Sequence, residues 1–149
     1  MHRRTFAKLT LSTPAVLIAR PAFAAEPEIY QNGGIAIDGS DTVGYFTQAR
    51  PVRGEATFTV QYKGAGWRFA DQASADAFEA DPNAYTPQFG GYCAWAVGQG
   101  YIASTVPQAW TIYNDKLYLN YSRRIRRRFE RNLDENIALA EANWPRVLG

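Results

Sequence analysis

Apolar positions recur along this chain at two periods. From Thr57 to Tyr62 they alternate, with Phe58, Val60 and Tyr62 on one side and Thr57, Thr59 and Gln61 on the other. That β-branched and aromatic alternation predicts a strand. Lys63-Gly64-Ala65-Gly66 supplies a turn and Trp67-Arg68-Phe69-Ala70 a return, so a β-hairpin is expected. A second hairpin is expected from Ala109 to Tyr113, through Asn114-Asp115, and back from Leu117 to Tyr121. Near the C-terminus the period changes. Ile125, Phe129, Leu133, Ile137, Ala140 and Trp144 are spaced to share one face of a long helix, with Ser122 as N-cap and Trp144-Pro145 as stop.

Shorter elements come from capping signals. Gly34-Ile35-Ala36-Ile37-Asp38 reads as a short strand, and Asp41 as the N-cap of a helix carrying Val43, Tyr45 and Phe46. Asp71 caps a further helix over residues 72–80, with Ala73, Ala77 and Phe78 on one side and Asp81-Pro82 ending it. Residues 25–33 read as a loose lead-in, and 83–109 are rich in Gly, Tyr, Trp and Pro without a clear period. Short antiparallel hairpins packed against a long C-terminal helix and one or two short ones define a small single α+β domain.

The first residues follow a different pattern. His2-Arg3-Arg4-Thr5-Phe6-Ala7-Lys8 is basic, Leu9 to Ile18 is weakly apolar, and Ala22-Phe23-Ala24 offers a small-x-small cleavage site. Residues 1–24 are expected to be a cleavable export signal, with 25–149 as the working domain. Arg3-Arg4 with Phe6 and Lys8 is similar to the twin-arginine signal, which implies the twin-arginine export machinery as a partner and a periplasmic location. No apolar run reaches the ~18 residues of a membrane span, so an integral multi-span protein is excluded.

That expectation changes the charge. The whole chain has 16 Lys+Arg against 14 Asp+Glu, a net +2. The signal takes Arg3, Arg4, Lys8 and Arg20, leaving 12 basic against 14 acidic residues, or −2. A generally basic nucleic-acid binder is not expected. The signal also carries the only histidine, His2. The remaining domain can form neither a Ser-His-Asp nor a Cys-His site.

Cys93 is then the chief candidate for chemistry. A thiolate is a strong nucleophile and a soft metal ligand. One sulfur and no imidazole fall short of a tetrahedral zinc or copper(I) set unless two chains pool their Cys93. Thiol redox with a partner protein, a metal-linked role and a buried inert thiol all stay open. Around Cys93 lie Phe89, Tyr92, Trp95 and Tyr101, interspersed with Gly90, Gly91, Gly98 and Gly100. These rings either line a ligand pocket, with Trp67 and Phe69 as its floor, or form the core. Gly98-Gln99-Gly100 lacks the ending of a phosphate loop. Asp38 and Asp41 are read as capping and turn residues in preference to an acid–base pair.

Arg123, Arg124, Arg126, Arg127, Arg128 and Arg131 crowd the start of the C-terminal helix. Cations there oppose the helix dipole by about 0.3–1 kcal/mol each, so Glu130, Asp134 and Glu135 are expected to offset them. The cluster is either a solvated face or a docking patch for a periplasmic protein or an anionic lipid surface.

Trp67-Arg68-Phe69-Ala70-Asp71, Phe78 and Asp81-Pro82-Asn83-Ala84-Tyr85 together resemble the YHS domain. The resemblance to exported bacterial YHS-domain proteins covers nearly residues 28–148. It includes Asp41-Thr42-Val43-Gly44-Tyr45-Phe46, Gly90-Gly91-Tyr92-Cys93-Ala94, Leu117-Tyr118-Leu119-Asn120 and Asn143-Trp144-Pro145. It implies metal binding, copper included, through two cysteines whose positions here hold Ala70 and Ser74, with the histidine of the name near Arg68. From the exported members it implies a reactive group at Cys93. The function expected is an accessory binding or thiol-redox protein centred on the Cys93 loop. The alternatives are a non-catalytic binding module using the aromatic pocket or the arginines, and copper handling. An enzyme is the less favoured outcome.

Overall fold

The structure, a computed structural model, describes residues 14–16 and 25–149. Apart from 14–16, the expected export signal lies outside the described residues. The chain folds as a small single α+β domain. Its elements are β1 (Gln31–Asn32), β2 (Ile35–Ala36), α1 (Thr42–Gln48), β3 (Glu55–Tyr62), β4 (Ala65–Phe69), α2 (Gln72–Ala80) and α3 (Pro82–Tyr85). They continue with α4 (Ala94–Gln99), β5 (Trp110–Tyr113), β6 (Lys116–Leu119), α5 (Arg123–Glu130) and α6 (Leu133–Asn143). One sheet has the order β1-β2-β4-β3, and β5-β6 stands as a separate hairpin. All pairings are antiparallel except β2 with β4, where Ile35 lies opposite Gly66. Among the described residues no helix is long and apolar enough to cross a membrane.

Local chemistry explains both hairpins. Lys63 and Gly64 both have positive φ, as do Asn114 and Asp115. Two-residue turns of that kind match the twist of antiparallel strands. In β3, Phe58, Val60 and Tyr62 turn toward the core while Thr57, Thr59 and Gln61 face outward, as a period of two requires. Asp41 and Asp71 each cap their helix by accepting the N–H three residues on.

Three expectations change. The strand expected over 34–38 is only Ile35–Ala36, because Ile37 and Asp38 turn left-handed (φ 51° and 53°) into a short 3-10 turn. On α2 the buried positions are Ala75 and Phe78, with Ala77 partly covered, while Ala73 faces out. The long C-terminal helix is two helices. Asn132 leaves the helical region (φ −150°, ψ 75°), and the Asn136 amide donates to the Phe129 carbonyl at 2.9 Å. That bond satisfies a carbonyl freed by the end of α5.

Two cores share one wall. The first joins Ile29, Ile37, Tyr45, Trp67, Phe69, Phe78, Leu117 and Leu119. The second joins Tyr30, Phe89, Tyr92, Val97, Tyr118, Phe129 and Ala140. In β6 the alternation sends Leu117 and Leu119 to the first core and Tyr118 to the second. Ile29 and Tyr30 divide in the same way. The end of β6 thus delivers Asn120 and Tyr121 to the edge of the second core, where Cys93 lies.

Candidate functional site

The loop that carries Cys93 is built from left-handed residues. Phe89, Gly90 and Gly91 have φ of 56°, 62° and 85°. Such a run is easy for glycine and strained for phenylalanine. The Gly90 carbonyl accepts the Tyr30 N–H at 2.9 Å, and Thr105 Oγ1 donates to the Gly91 carbonyl at 2.9 Å. The Cys93 N–H donates to Ala103, and its carbonyl accepts the Val97 N–H to start α4.

Cys93 gives α4 no side-chain cap. Asn120, the residue after β6, supplies one: its Oδ1 accepts the Trp95 N–H at 3.0 Å and lies 3.5 Å from Cys93 Sγ. The sulfur also accepts the Tyr121 N–H at 3.2 Å. Asn120 is completely buried, and its Nδ2 has no hydrogen-bond partner among the described residues.

Cys93 itself is 1% exposed. Burial pushes its thiol pKa up, against the pull of the Ala96, Tyr121 and Trp95 N–H groups. The neutral thiol is therefore the favoured form at neutral pH, and the only sulfur available for a disulfide belongs to another molecule.

Above Cys93 opens a hollow of about 380 Å³, within the size range of small-molecule sites. Its walls are Trp95, Ala96, Tyr101, Ala103, Tyr121 and Ile125. Tyr101 and Tyr121 remain 53% and 55% exposed. A neighbouring hollow of about 530 Å³ shares Trp95 and continues along α5 and α6 past Arg128, Arg131, Glu135 and Leu139.

Of the aromatic residues expected around Cys93, Trp95 and Tyr101 line its hollow. Phe89 and Tyr92 lie in the second core, with the Tyr92 hydroxyl donating to Pro27. Trp67 and Phe69 are not its floor. β4 points both into the first core, each ring 5.0 Å from Phe78. Tyr121, Ile125 and Asn120 were not singled out by sequence as site residues. Ile125 carried only a core-stripe signal, and neither of the others carried a local one.

The other candidates separate clearly. Asp41 is fully buried and its two oxygens accept from Gly44 and Ala70. Asp38 accepts from Tyr30 and Asn32. Neither is placed to exchange a proton with a ligand in the Cys93 hollow. At the positions where the YHS resemblance implies metal ligands stand Arg68, Ala70 and Ser74. A guanidinium, a methyl group and a hydroxyl do not fit a soft metal ion. Among the described residues no three His, Cys, Asp or Glu side chains group to hold one.

In the arginine cluster only Arg126 has a carboxylate partner within ion-pair distance among the described residues, Glu130 at 2.8 Å. Its guanidinium also lies over the Trp110 ring, 5.4 Å from the centroid. Asp134 and Glu135 do not offset the other five. They form the first turn of α6, where negative charge suits the helix dipole. There Asp134 accepts from the Tyr113 hydroxyl and Glu135 from the Asn132 amide.

The buried hydroxyls and thiol set the response to base. Burial raises the pKa of Cys93, of Tyr45, and of Tyr118 to about 12. A raised value means that the folded state keeps a proton which the unfolded chain has already lost. The stabilisation is whole below the unfolded pKa and disappears as pH climbs toward the folded one. The urea midpoint is therefore expected to stay level up to about pH 8.5 and to fall steadily above it. Cys93→Ala should delay the onset toward the tyrosine range; a level midpoint through about pH 10.5 would contradict this.

A scan against protein-family models and searches of curated proteins and of solved structures find no match to this chain.

Proposed function

We propose that this is an accessory binding protein, exported and of YHS type, which holds a small ligand in the hollow above Cys93 and performs no chemistry on it. The observation that carries this reading is the hollow itself. It has an apolar lining, a buried thiol as floor and two exposed tyrosines at its mouth. Exposed rings beside a concave apolar surface are what a ligand-binding mouth requires. Arg3-Arg4, Phe6, Lys8 and Ala22-Phe23-Ala24 support export. The binding role is favoured over thiol redox because Cys93 is buried, its pKa is raised, and two neighbours hydrogen-bond its sulfur.

The test uses N-phenylnaphthylamine, an uncharged aromatic probe whose fluorescence rises in apolar surroundings. Wild-type protein is expected to bind it. Trp95→Ala should weaken binding about tenfold, the worth of one well-placed ring contact, with the far-ultraviolet dichroism unchanged. Affinity that is the same in Trp95→Ala and in Tyr101→Ala would place the probe elsewhere and remove the proposal.

A further inference from the structure

We infer that the ligand of the Cys93 hollow is an amphipathic anion: an aromatic or acyl body with one carboxylate, sulfonate or phosphate group. This deepens the binding role above and rests on it. The argument begins at Trp95, which lines both the hollow over Cys93 and the neighbouring one along α5 and α6. On one side of that ring the surface is apolar, with Tyr101 and Ile125. On the other side stand two guanidiniums, Arg128 and Arg131.

The titratable groups facing this second hollow are Arg128, Arg131 and Glu135. Neither arginine has a carboxylate within ion-pair distance among the described residues, and Glu135 is occupied by the Asn132 amide. Two cations thus face one carboxylate. The first turn of α6 borders the same hollow through Asn132, Glu135 and Asn136, and no side chain caps its N-terminus. Asp134 and Glu135 in that turn already balance the helix dipole, so the positive charge facing the hollow is that of the two guanidiniums. Guanidinium groups favour oxyanions because their paired N–H donors match the spacing of the oxygens. A ligand with only an apolar body would fill the Cys93 hollow and leave these charges unused. A ligand with only an anionic group would leave Trp95, Tyr101 and Tyr121 unused.

The experiment compares N-phenylnaphthylamine with anilinonaphthalene sulfonate, which has the same rings and one sulfonate. At low salt the sulfonate is expected to bind wild-type protein about tenfold more tightly than the neutral probe, a preference that salt erodes. Arg128→Gln/Arg131→Gln should bring the ratio near one while holding neutral-probe affinity within about twofold. Arg50→Gln/Arg53→Gln removes the same charge outside both hollows and should keep the preference. Laurate, a soluble acyl carboxylate, should displace the sulfonate probe.

Equal affinity of the two probes for wild-type protein, or a preference that survives in Arg128→Gln/Arg131→Gln, overturns the anion inference and leaves the binding role standing. Failure of both probes to bind overturns the two together. Displacement by anionic phosphatidylglycerol vesicles but not by laurate replaces the soluble ligand with a membrane surface, and that also overturns it.

Discussion

Replacing Gly90 with alanine is expected to lower stability by about 3–5 kcal/mol, a large part of the total for a domain of this size. Two effects add. Gly90 has φ of +62°, which costs a residue with a Cβ about 1–2 kcal/mol. A Cβ there would also lie 1.8 Å from the Glu28 carbonyl oxygen. That neighbour is backbone and cannot rotate aside. Moving it would pull on Tyr30, whose N–H is bonded to the Gly90 carbonyl at 2.9 Å and whose ring belongs to the second core. Gly100→Ala is the comparison. It has a positive φ of 93° as well, but nothing stands within 4 Å of its Cβ position, so only the conformational cost of about 1–2 kcal/mol applies. Urea denaturation of both variants checks this. A Gly90→Ala midpoint no lower than that of Gly100→Ala would show that the contact with Glu28 carries no weight.

The same loop shows where sequence reading stops. Hairpins and caps were legible because their signals are local: alternation and a turn pair for β5-β6, an aspartate followed by a helical run for α1 and α2. The Pro87–Cys93 loop has no period to read. Its shape comes from three left-handed residues, one of them Phe89, and from bonds to Tyr30 and Thr105 that are distant in sequence. The break between α5 and α6 was hidden for another reason. Phe129, Leu133 and Ile137 keep their spacing of four across it, so the apolar stripe appears continuous. The signal that marks the break is polar. Asn132 followed three residues later by Glu135 has the form of a helix start, although the two side chains bond each other and not the backbone N–H groups.

The candidate site was half legible for related reasons. Cys93, Trp95, Tyr101 and the arginines could be named by residue type. Their grouping could not, because it depends on β6 and α5 reaching the α4 loop from far along the chain. Tyr121 and Ile125 complete the hollow only through that approach. Trp67 and Phe69 were drawn toward it on chemistry alone, while strand alternation in β4 had already committed both rings to the opposite core beside Phe78.

The second large effect is expected at Asp41, and it separates a structural carboxylate from a catalytic one. Asp41 is fully buried. One oxygen caps α1 through the Gly44 N–H at 3.1 Å, and the other accepts the Ala70 N–H at 3.0 Å where β4 ends. Its own N–H donates to Val52 at 2.8 Å. The residue therefore joins a helix start, a strand end and the loop between them. Asp41→Ala would leave two donors without acceptors and is expected to cost about 3–4 kcal/mol, since each bond to a charged group is worth about 1.5–3 kcal/mol before the remainder relaxes. Asp41→Asn keeps one acceptor but turns an NH₂ toward the other N–H, so about 2 kcal/mol is expected. Asp71 is the control. It caps α2 by the same single bond to Ser74, but in an exposed setting, and Asp71→Ala should cost only about 1 kcal/mol. Equal losses at the two aspartates would mean that neither burial nor the Ala70 bond matters. With both oxygens bonded to backbone N–H groups and no exposure, Asp41 is out of a ligand's reach. Any loss of probe binding in Asp41→Ala should then follow the unfolded fraction and vanish at a temperature where the variant is fully folded.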